Sequence, residues 1–252
     1  MQVPTIQGVI DRRILINFRV CPRALSQRLP EPFRPKLVDG RAVGGICLIR
    51  LKHIRPLGIP RSFGHTSENC AHRVAVEWDD DGQTREGVFI FGRHSGSRLN
   101  TWLGGRVFPG VHHRAKFDIA ERGGRYHVAV TAKDMQVGLE AQCVDAWPDG
   151  SVFASLEAAS EFFQAGSVGY SAAARPGHYE GMELRSFGWN MRPLEIQSVY
   201  SSFFNDKDLF PPGTVEVDSA VLMRGIPHQW HASKSICECA MPALSGSALL
   251  GR

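Results

Sequence analysis

Long hydrophobic runs and blocks of basic residues are both missing from this sequence. No apolar stretch approaches the roughly 20 residues that a membrane-spanning helix needs, and the first 13 residues contain no apolar segment of signal-peptide length. The 23 arginines and 6 lysines are scattered, so the formal net charge of +4 is not concentrated in a nucleic-acid-binding face. We therefore expect a cytoplasmic protein that binds neither a membrane nor a nucleic acid.

Sequence motifs for several common chemistries are missing as well. There is no Gly-x-Ser-x-Gly nucleophile turn, no HExxH zinc motif and no glycine-rich phosphate loop. The six cysteines show no paired spacing, which predicts free thiols in a reducing compartment. Four histidines that could converge in a barrel lack metal-ligand spacing: His65, His72, His112 and His113. We therefore expect neither a metal site nor a cofactor.

Length and composition are those of an ordinary globular protein. With 252 residues, 43% of them hydrophobic and 21% charged, the chain can bury a core as one large β domain or as two smaller ones. No internal repeat and no linker divides it. From about residue 232 the apolar pattern gives way to serine, alanine and glycine. We predict a single domain over residues 1–231 and a flexible tail over residues 232–252.

Short runs of β-branched and aromatic residues, separated by turn residues, predict a protein made mainly of strands. The predicted strands cover residues 13–20, 43–51, 73–78, 87–91, 115–120, 126–130, 182–192, 194–203 and 215–223. Residues 79–82 and the pair Gly123–Gly124 predict the turns of two hairpins. Short helices are expected at residues 22–29, at 97–104 and from Ser155 or Ser160. This pattern is typical of an antiparallel sandwich or barrel.

Three segments resemble the acetoacetate decarboxylases. Residues 17–33 follow that family's pattern of a strand, a short helix and a Pro-Glu-Pro exit, residues 66–69 match its Tyr-Thr-Glu stretch, and Phe108–Pro109 match its aromatic-Pro pair. Three further segments are similar to the sequences of a bacterial family catalogued as a domain of unknown function in the same superfamily. They are residues 166–171, 201–204 and 223–228. The resemblance implies a mainly β fold, a cone-shaped antiparallel β-barrel with a few short helices around a small cavity.

Glycine occupies the position of the family's Schiff-base lysine. In the decarboxylases two lysines follow the aromatic-Pro pair, and the first forms the Schiff base with the keto acid; here Gly110 and Val111 follow instead. Lys116 lies six residues further on with Asp118 on the same predicted strand face, where a carboxylate disfavours the free amine that such chemistry needs. The resemblance therefore implies the family's cavity without its covalent chemistry.

Glu68 is the predicted acid–base group. It stands at the position where the decarboxylases place a catalytic-site glutamate, and His72 follows four residues later. On an extended strand both side chains face the same side, where a carboxylate can orient an imidazole. The alternative interpretation of the same residues is a solvated loop carboxylate and a strand-edge histidine.

Two adjacent histidines follow the Phe-Pro-Gly turn. His112 and His113 enter a predicted strand, so they point to opposite faces. His113 shares its face with Ala115 and Phe117. This pattern predicts that His113 faces the interior and His112 the surface, whereas a polar cavity would reverse the assignment.

An arginine that faces the cavity would suit a carboxylate or phosphate group of a substrate. Arg98, Asn100 and Phe108 lie on the segment that ends at the aromatic-Pro pair, and we predict that they contact substrate. Arg12 or Arg13 falls near the position at which the decarboxylases place a substrate-binding arginine.

These residues lead to two hypotheses of different class. The first is an enzyme of the acetoacetate decarboxylase-like superfamily that acts on a small carbonyl or carboxylate compound, by a reaction of the lyase, hydratase or isomerase type. Glu68, His72 and His113 are its predicted catalytic residues, and His112 joins the substrate-binding set. The second is a non-catalytic protein that binds a small molecule in the same cavity. The sequence leaves the substrate, and whether the chain forms a homo-oligomer, open.

Overall fold

The structure is a computed structural model that describes residues 4–104 and 109–238. Most of these residues belong to β-strands. The strands are β1 (Ile6–Val20), β2 (Arg34–Pro35), β3 (Leu37–Val38), β4 (Arg41–Pro56), β5 (His65–Asp80), β6 (Gln83–Ser95), β7 (His112–Arg114), β8 (Lys116–Arg122), β9 (Arg125–Thr131), β10 (Gln136–Cys143), β11 (Val168–Ala172), β12 (His178–Ser186), β13 (Arg192–Ser201) and β14 (Val215–Cys237). The helices are α1 (Pro22–Ser26), α2 (Arg98–Leu103) and α3 (Leu156–Ala165), with one 3-10 turn at Arg61–Phe63. In the described ranges, every helix is too short to cross a membrane.

Seven strands close into a ring. The hydrogen-bonded order runs β1, β4, β5, β6, β11, β12 and β14, and β14 pairs back with β1. The pairs are antiparallel except for β6 and β11, which run parallel. The strands therefore form the closed arrangement of a barrel, with one junction that departs from the predicted antiparallel pattern.

A second layer of strands covers one outer side of this ring. The first half of β14 pairs with β13, and the order continues through β10, β9 and β8. Val128 of β9 and Leu139 of β10 share an outer hydrophobic cluster with Ile14 and Ile16 of β1. Leu15 of β1 belongs instead to a separate inner cluster, which includes side chains of α3. Both faces of the ring wall are therefore buried.

The predicted hairpins are confirmed, and several predicted element ends need correction. β5 and β6, and likewise β8 and β9, pair antiparallel across the expected turns. α1 ends at Ser26 rather than at residue 29. β12 ends at Ser186 and β13 begins at Arg192, so residues 182–192 are not one strand. The five described cysteines are free thiols, as predicted.

The last strand continues into the segment predicted as a flexible tail. β14 extends to Cys237, which pairs with His178 at the start of β12. Backbone pairing with β12 extends the strand although its apolar pattern has faded, so the predicted boundary at residue 232 lies too early. Residues 239–252 of the predicted tail lie outside the described residues.

Arg12 joins the ring to the second layer through two carboxylates. Its side chain is 1% exposed, and its guanidinium donates to Glu68 on β5 at 2.7 Å and to Glu121 on β8. Arg50 contacts both carboxylates, and Arg224 contacts Glu121. Burial alone would raise the pKa of Glu121, but hydrogen bonds from Arg224 and Arg12 hold that pKa below its ordinary value. This network therefore binds β8 to the outer face of β1 and β5.

Glu121→Gln is expected to lower the free energy of unfolding by about 1–3 kcal/mol, because one carboxylate balances three arginines here. The folded-state pKa of Glu121 lies below its unfolded value, so the stabilisation is present above about pH 4 and is lost as the pH falls through the folded pKa. Urea unfolding across this pH range measures both effects. The difference in the free energy of unfolding between wild type and variant should become smaller in acid. Asp118→Asn on the exposed face of β8 is the control, and an equal loss in both variants would contradict the assignment.

Candidate functional site

A cavity of about 430 Å³ lies inside the ring. Residues of β1, β4, β5, β6, β11 and β12 line it, and α3 closes one side with Phe163 and Gln164. Much of the wall is apolar and comes from Ile49, Leu51, Ile90, Met182, Leu184, Trp189 and Trp230. A cavity of this volume and character suits a small organic molecule.

Three arginines reach this cavity without a carboxylate partner in the described ranges. Arg13 from β1, Arg73 from β5 and Arg93 from β6 line the wall, and no described Asp or Glu does so. Arg73 donates to Asn17 Oδ1 at 2.9 Å and Arg93 to Ser171 Oγ at 3.0 Å, both neutral acceptors. Burial lowers the pKa of Arg73 and of Arg93 to about 10, which leaves both as cations at neutral pH. The cavity therefore carries uncompensated positive charge and suits an anion.

The ring wall makes room for the Arg73 side chain. Gly45 lies opposite Arg73 on β4, and a Cβ there would lie 3.3 Å from Arg73 Nη2 and 2.6 Å from the carbonyl oxygen of Ile16. On its other side the guanidinium lies 4.9 Å from the ring centre of Phe163, a cation–π contact. These neighbours position the cation without neutralising it.

The predicted substrate-binding residues are divided by the structure. Asn100 and His112 line the cavity, Arg98 does not, and Phe108 lies outside the described residues. Asn100 Nδ2 donates to Ser67 Oγ at 3.0 Å, so part of this amide is already used within the protein. Arg98 is exposed on the first turn of α2, which corrects the prediction that it contacts substrate in the cavity.

His112 and His113 face opposite sides of β7, but the other way round from the prediction. β7 runs parallel to β6, with His112 beside Arg93 and His113 beside His94. His112 lines the cavity, and burial together with the charge of Arg93 lowers the pKa of His112 to about 4. The side chain of His113 is 47% exposed. The reason is that Ala115, on the His113 side, packs into the outer cluster rather than toward the cavity.

Glu68 and His72 point away from the cavity, on the outer face of β5. Glu68 is held between Arg12 and Arg50. His72 Nε2 lies 2.9 Å from Ser201 Oγ in the second layer, and burial lowers the pKa of His72 to about 4. The placement of these two residues in the cavity is therefore corrected. The outer side of the ring wall is also buried, under the second layer of strands, and the side chains of Glu68 and His72 belong to that outer side.

No lysine lines the cavity, although all six lysines lie in the described ranges. Lys36 lines a smaller adjoining pocket of about 30 Å³, together with Arg13 and Arg73. There its ammonium pairs with Glu86 and lies 4.6 Å from the ring centre of Phe162. A carboxylate and an aromatic ring thus hold this ammonium outside the larger cavity.

Gly110 occupies a position that a lysine would strain. Its φ is +74°, a region that L side chains rarely adopt. An added Cβ would lie 2.7 Å from the Cβ of Ser171. The backbone N–H of Gly110 donates to Glu180 Oε2 at 3.1 Å. The local structure therefore fits glycine and disfavours a longer side chain.

Comparison with known proteins gives a family and a fold. The sequence profile of DUF2071, described as "Uncharacterized conserved protein", matches residues 10–224. The chain belongs to the DUF2071 family. The match includes Arg13, Arg73 and Arg93, so these cavity arginines lie within the DUF2071 region. None of the curated proteins matches this chain.

Solved structures share the fold of this DUF2071 protein at low sequence identity. Acetoacetate decarboxylase from Legionella pneumophila has a TM-score of 0.58 at 12% identity, with 92% of this chain and 88% of that chain covered. An acetoacetate decarboxylase-like enzyme from Sphingomonas wittichii has a TM-score of 0.56 at 13% identity, with 94% and 93% covered. The enduracididine biosynthesis enzyme MppR, complexed with pyruvate, has a TM-score of 0.55 at 10% identity, with 94% and 91% covered. The predicted acetoacetate decarboxylase-like fold is confirmed.

Sequence reasoning missed Arg73 and Arg93, and it did not decide between Arg12 and Arg13. Arg73 opens one apolar strand run, and Arg93 follows another. An arginine within or beside an apolar strand run is the signal that could have found them, because buried charges are rare without a partner or a ligand.

Gly110→Ala should destabilise the protein more than Gly82→Ala does. Both glycines have φ of +74°, but an added Cβ at Gly82 meets nothing within 4 Å. We expect a loss of about 1 kcal/mol at Gly82 from the backbone alone. At Gly110 we expect about 2–4 kcal/mol, because contact with Ser171 adds to the backbone strain. Chemical unfolding of both variants measures the difference, and equal losses would show that the space beside Gly110 is not restrictive.

Proposed function

We propose that this DUF2071 protein is an enzyme of the acetoacetate decarboxylase-like superfamily that acts on a small carboxylate compound by acid–base chemistry, without a Schiff-base lysine. The observation that carries the proposal is the convergence of Arg13, Arg73 and Arg93 on one cavity, with no carboxylate partner in the described ranges. Taking a guanidinium out of water costs free energy, and an anionic ligand offsets that cost. A substrate carboxylate can accept two parallel hydrogen bonds from one such guanidinium group.

His112 is the acid–base residue of this proposal. It lies beside Arg93 across the parallel pair of β6 and β7, and both residues line the cavity. A carboxylate bound by Arg93 therefore has its neighbouring carbon close to the imidazole. The bound carboxylate offsets the charge of Arg93, which otherwise helps to lower the pKa of His112. The neutral imidazole then accepts a proton from a carbon next to a carbonyl, and the arginines stabilise the negative charge that develops on the carbonyl oxygen. The reaction is then of the isomerase or lyase type.

Chemistry without an imine is supported by the placement of the amines. The cavity wall contains arginines but no lysine, and the ammonium of Lys36 pairs with Glu86 in the adjoining pocket. Gly110 stands where the resemblance puts the nucleophile, in a conformation that disfavours a side chain. The enzyme MppR, which has a similar fold, was solved in complex with pyruvate. Small keto acids are therefore the first compounds to test.

A non-catalytic protein that binds a small carboxylate is the second candidate. It is favoured by the apolar remainder of the wall, where Trp189 and Trp230 provide contact area without chemistry. Such a protein would use the same arginines. The two candidates differ at His112, which an enzyme needs for turnover and a receptor does not.

Replacing a cavity arginine should weaken carboxylate binding. Pyruvate, acetoacetate and other small keto acids are titrated by calorimetry into wild type, Arg93→Gln and the control Arg98→Gln. Arg93→Gln is expected to raise the Kd by about 10- to 100-fold, since a charge-assisted hydrogen-bonded pair is lost. Arg98→Gln should leave the Kd unchanged because Arg98 is exposed outside the cavity. If wild type and both variants bind each keto acid with the same Kd, the proposal that Arg93 belongs to an anion site is wrong.

His112→Gln separates the enzyme from the receptor. For a keto acid that wild type consumes, turnover should fall by about 10²- to 10⁴-fold while the Kd changes little. Borohydride reduction of wild type with the same compound should give no lysine adduct by mass spectrometry. An adduct on Lys36 would restore Schiff-base chemistry, and binding of keto acids without any turnover would favour the receptor.

A further inference from the structure

His94 on β6, His113 on β7 and Asp134 in the turn after β9 form a cluster, and of these three residues only His94 also lines the cavity. His94 Nε2 is 3.1 Å from Asp134 Oδ1, and His113 Nδ1 is 3.3 Å from Asp134 Oδ2. The two imidazole rings are 5.3 Å apart between centres. One donor atom from each residue lies within 4.8 Å of the other two.

We propose that these three side chains form a binding site for a divalent transition metal ion, with zinc as the reference ion. Two imidazole nitrogens and one carboxylate oxygen are a ligand set that zinc accepts, with a fourth position left for water. In a tetrahedral zinc site with bonds of about 2.0–2.1 Å, neighbouring donor atoms lie roughly 3.3 Å apart. Each histidine nitrogen already lies at about this distance from one oxygen of Asp134, although from different oxygens. Small adjustments of the Asp134 carboxylate and of the two rings would therefore bring the three donors around one ion.

The fold brings the three donors together from separate parts of the chain. The parallel register of β6 and β7 places His94 directly beside His113. Asp134 follows β9 and belongs to the turn that leads into β10, where the second layer comes against the ring. His94 is 4% exposed, whereas the side chains of His113 and Asp134 are each 47% exposed. The site thus has one rigid buried donor and an open route for the ion.

Other histidines of the described ranges lack a third donor. His127 Nδ1 contacts Glu140 on the surface, and His178 lies 3.6 Å from the Sγ of Cys237. Among the described residues, the triad of His94, His113 and Asp134 is the one group of three whose donor atoms converge. The sequence expectation of no metal site considered a different set of histidines, of which only His113 belongs to this triad.

The proposed metal site and the proposed carboxylate site share one wall residue. His94 lines the cavity beside Arg93 and His112, whereas His113 and Asp134 do not line it. A bound ion would link the turn after β9 to β6 and β7, and would stabilise the folded chain by mass action. Arg93 belongs to the cavity alone and Asp134 to the metal site alone, so Arg93→Gln should weaken keto acid binding without affecting zinc, and Asp134→Asn should do the reverse.

The test titrates the full chain, first stripped of metal by a chelator, with zinc alone and with cobalt(II) alone. One zinc per chain should bind with a Kd of about 1 μM or tighter, and cobalt(II) should give the visible absorption of a tetrahedral site. His113→Gln and Asp134→Asn should each raise the Kd by about 10- to 100-fold. Both residues are half-exposed, so these variants are expected to fold. Zinc should raise the Tm of wild type but not that of either variant.

His127→Gln is the matched control, since it removes a histidine that also contacts a surface carboxylate. It should bind zinc as wild type does. The proposal is overturned if wild type binds no zinc, if Asp134→Asn and wild type bind it equally, or if only loss of His178 or Cys237 abolishes binding.

Discussion

Two neighbouring arginines on β1 point to opposite sides of one wall, and the organisation of the molecule depends on that division. Arg12 points outward between Glu68 and Glu121, where its charge is balanced and joins two layers. Arg13 lines the inner cavity, where no described carboxylate balances it. The two-residue period of an extended strand fixes this outcome once the ring is closed by β1 and β14. Balanced charge on the outside contributes stability, and unbalanced charge on the inside remains available for a ligand.

Neutral neighbours make the inner charges tolerable without cancelling them. Asn17 and Ser171 accept hydrogen bonds from Arg73 and Arg93, and the ring of Phe163 lies against the Arg73 guanidinium. These contacts replace part of the hydration that the guanidinium groups lose on burial, and they thereby reduce the free-energy cost of desolvation. None of them supplies a negative charge, so the electrostatic potential of the cavity stays positive. This is the arrangement expected where stability is given up locally in favour of binding an anion.

The sequence predicted the elements better than it predicted which way their side chains point. The hairpins, α2 and α3 follow from turn residues, helix caps and strand-like runs, and the family resemblance supplied the fold. The sidedness of His112 and His113 did not follow, because amphipathic alternation assumes one buried face. Here both faces of the wall are buried, one against the second layer and one around the cavity. Glu68 was misplaced for the same reason, since its partner Arg12 comes from a strand whose pairing the sequence does not state.

The cavity retains an environment that would favour a reactive amine, yet the chain places no amine there. Burial and neighbouring cations lower the pKa of a lysine, and the arginines of the wall would supply both. At Gly110, however, the positive φ, the contact with Ser171 and the N–H donated to Glu180 are mutually consistent with glycine alone. Introducing a lysine would require all three to change together. Under the proposed function, the same cations instead hold a carboxylate and stabilise negative charge on its neighbouring carbonyl oxygen, which favours proton transfer over imine formation.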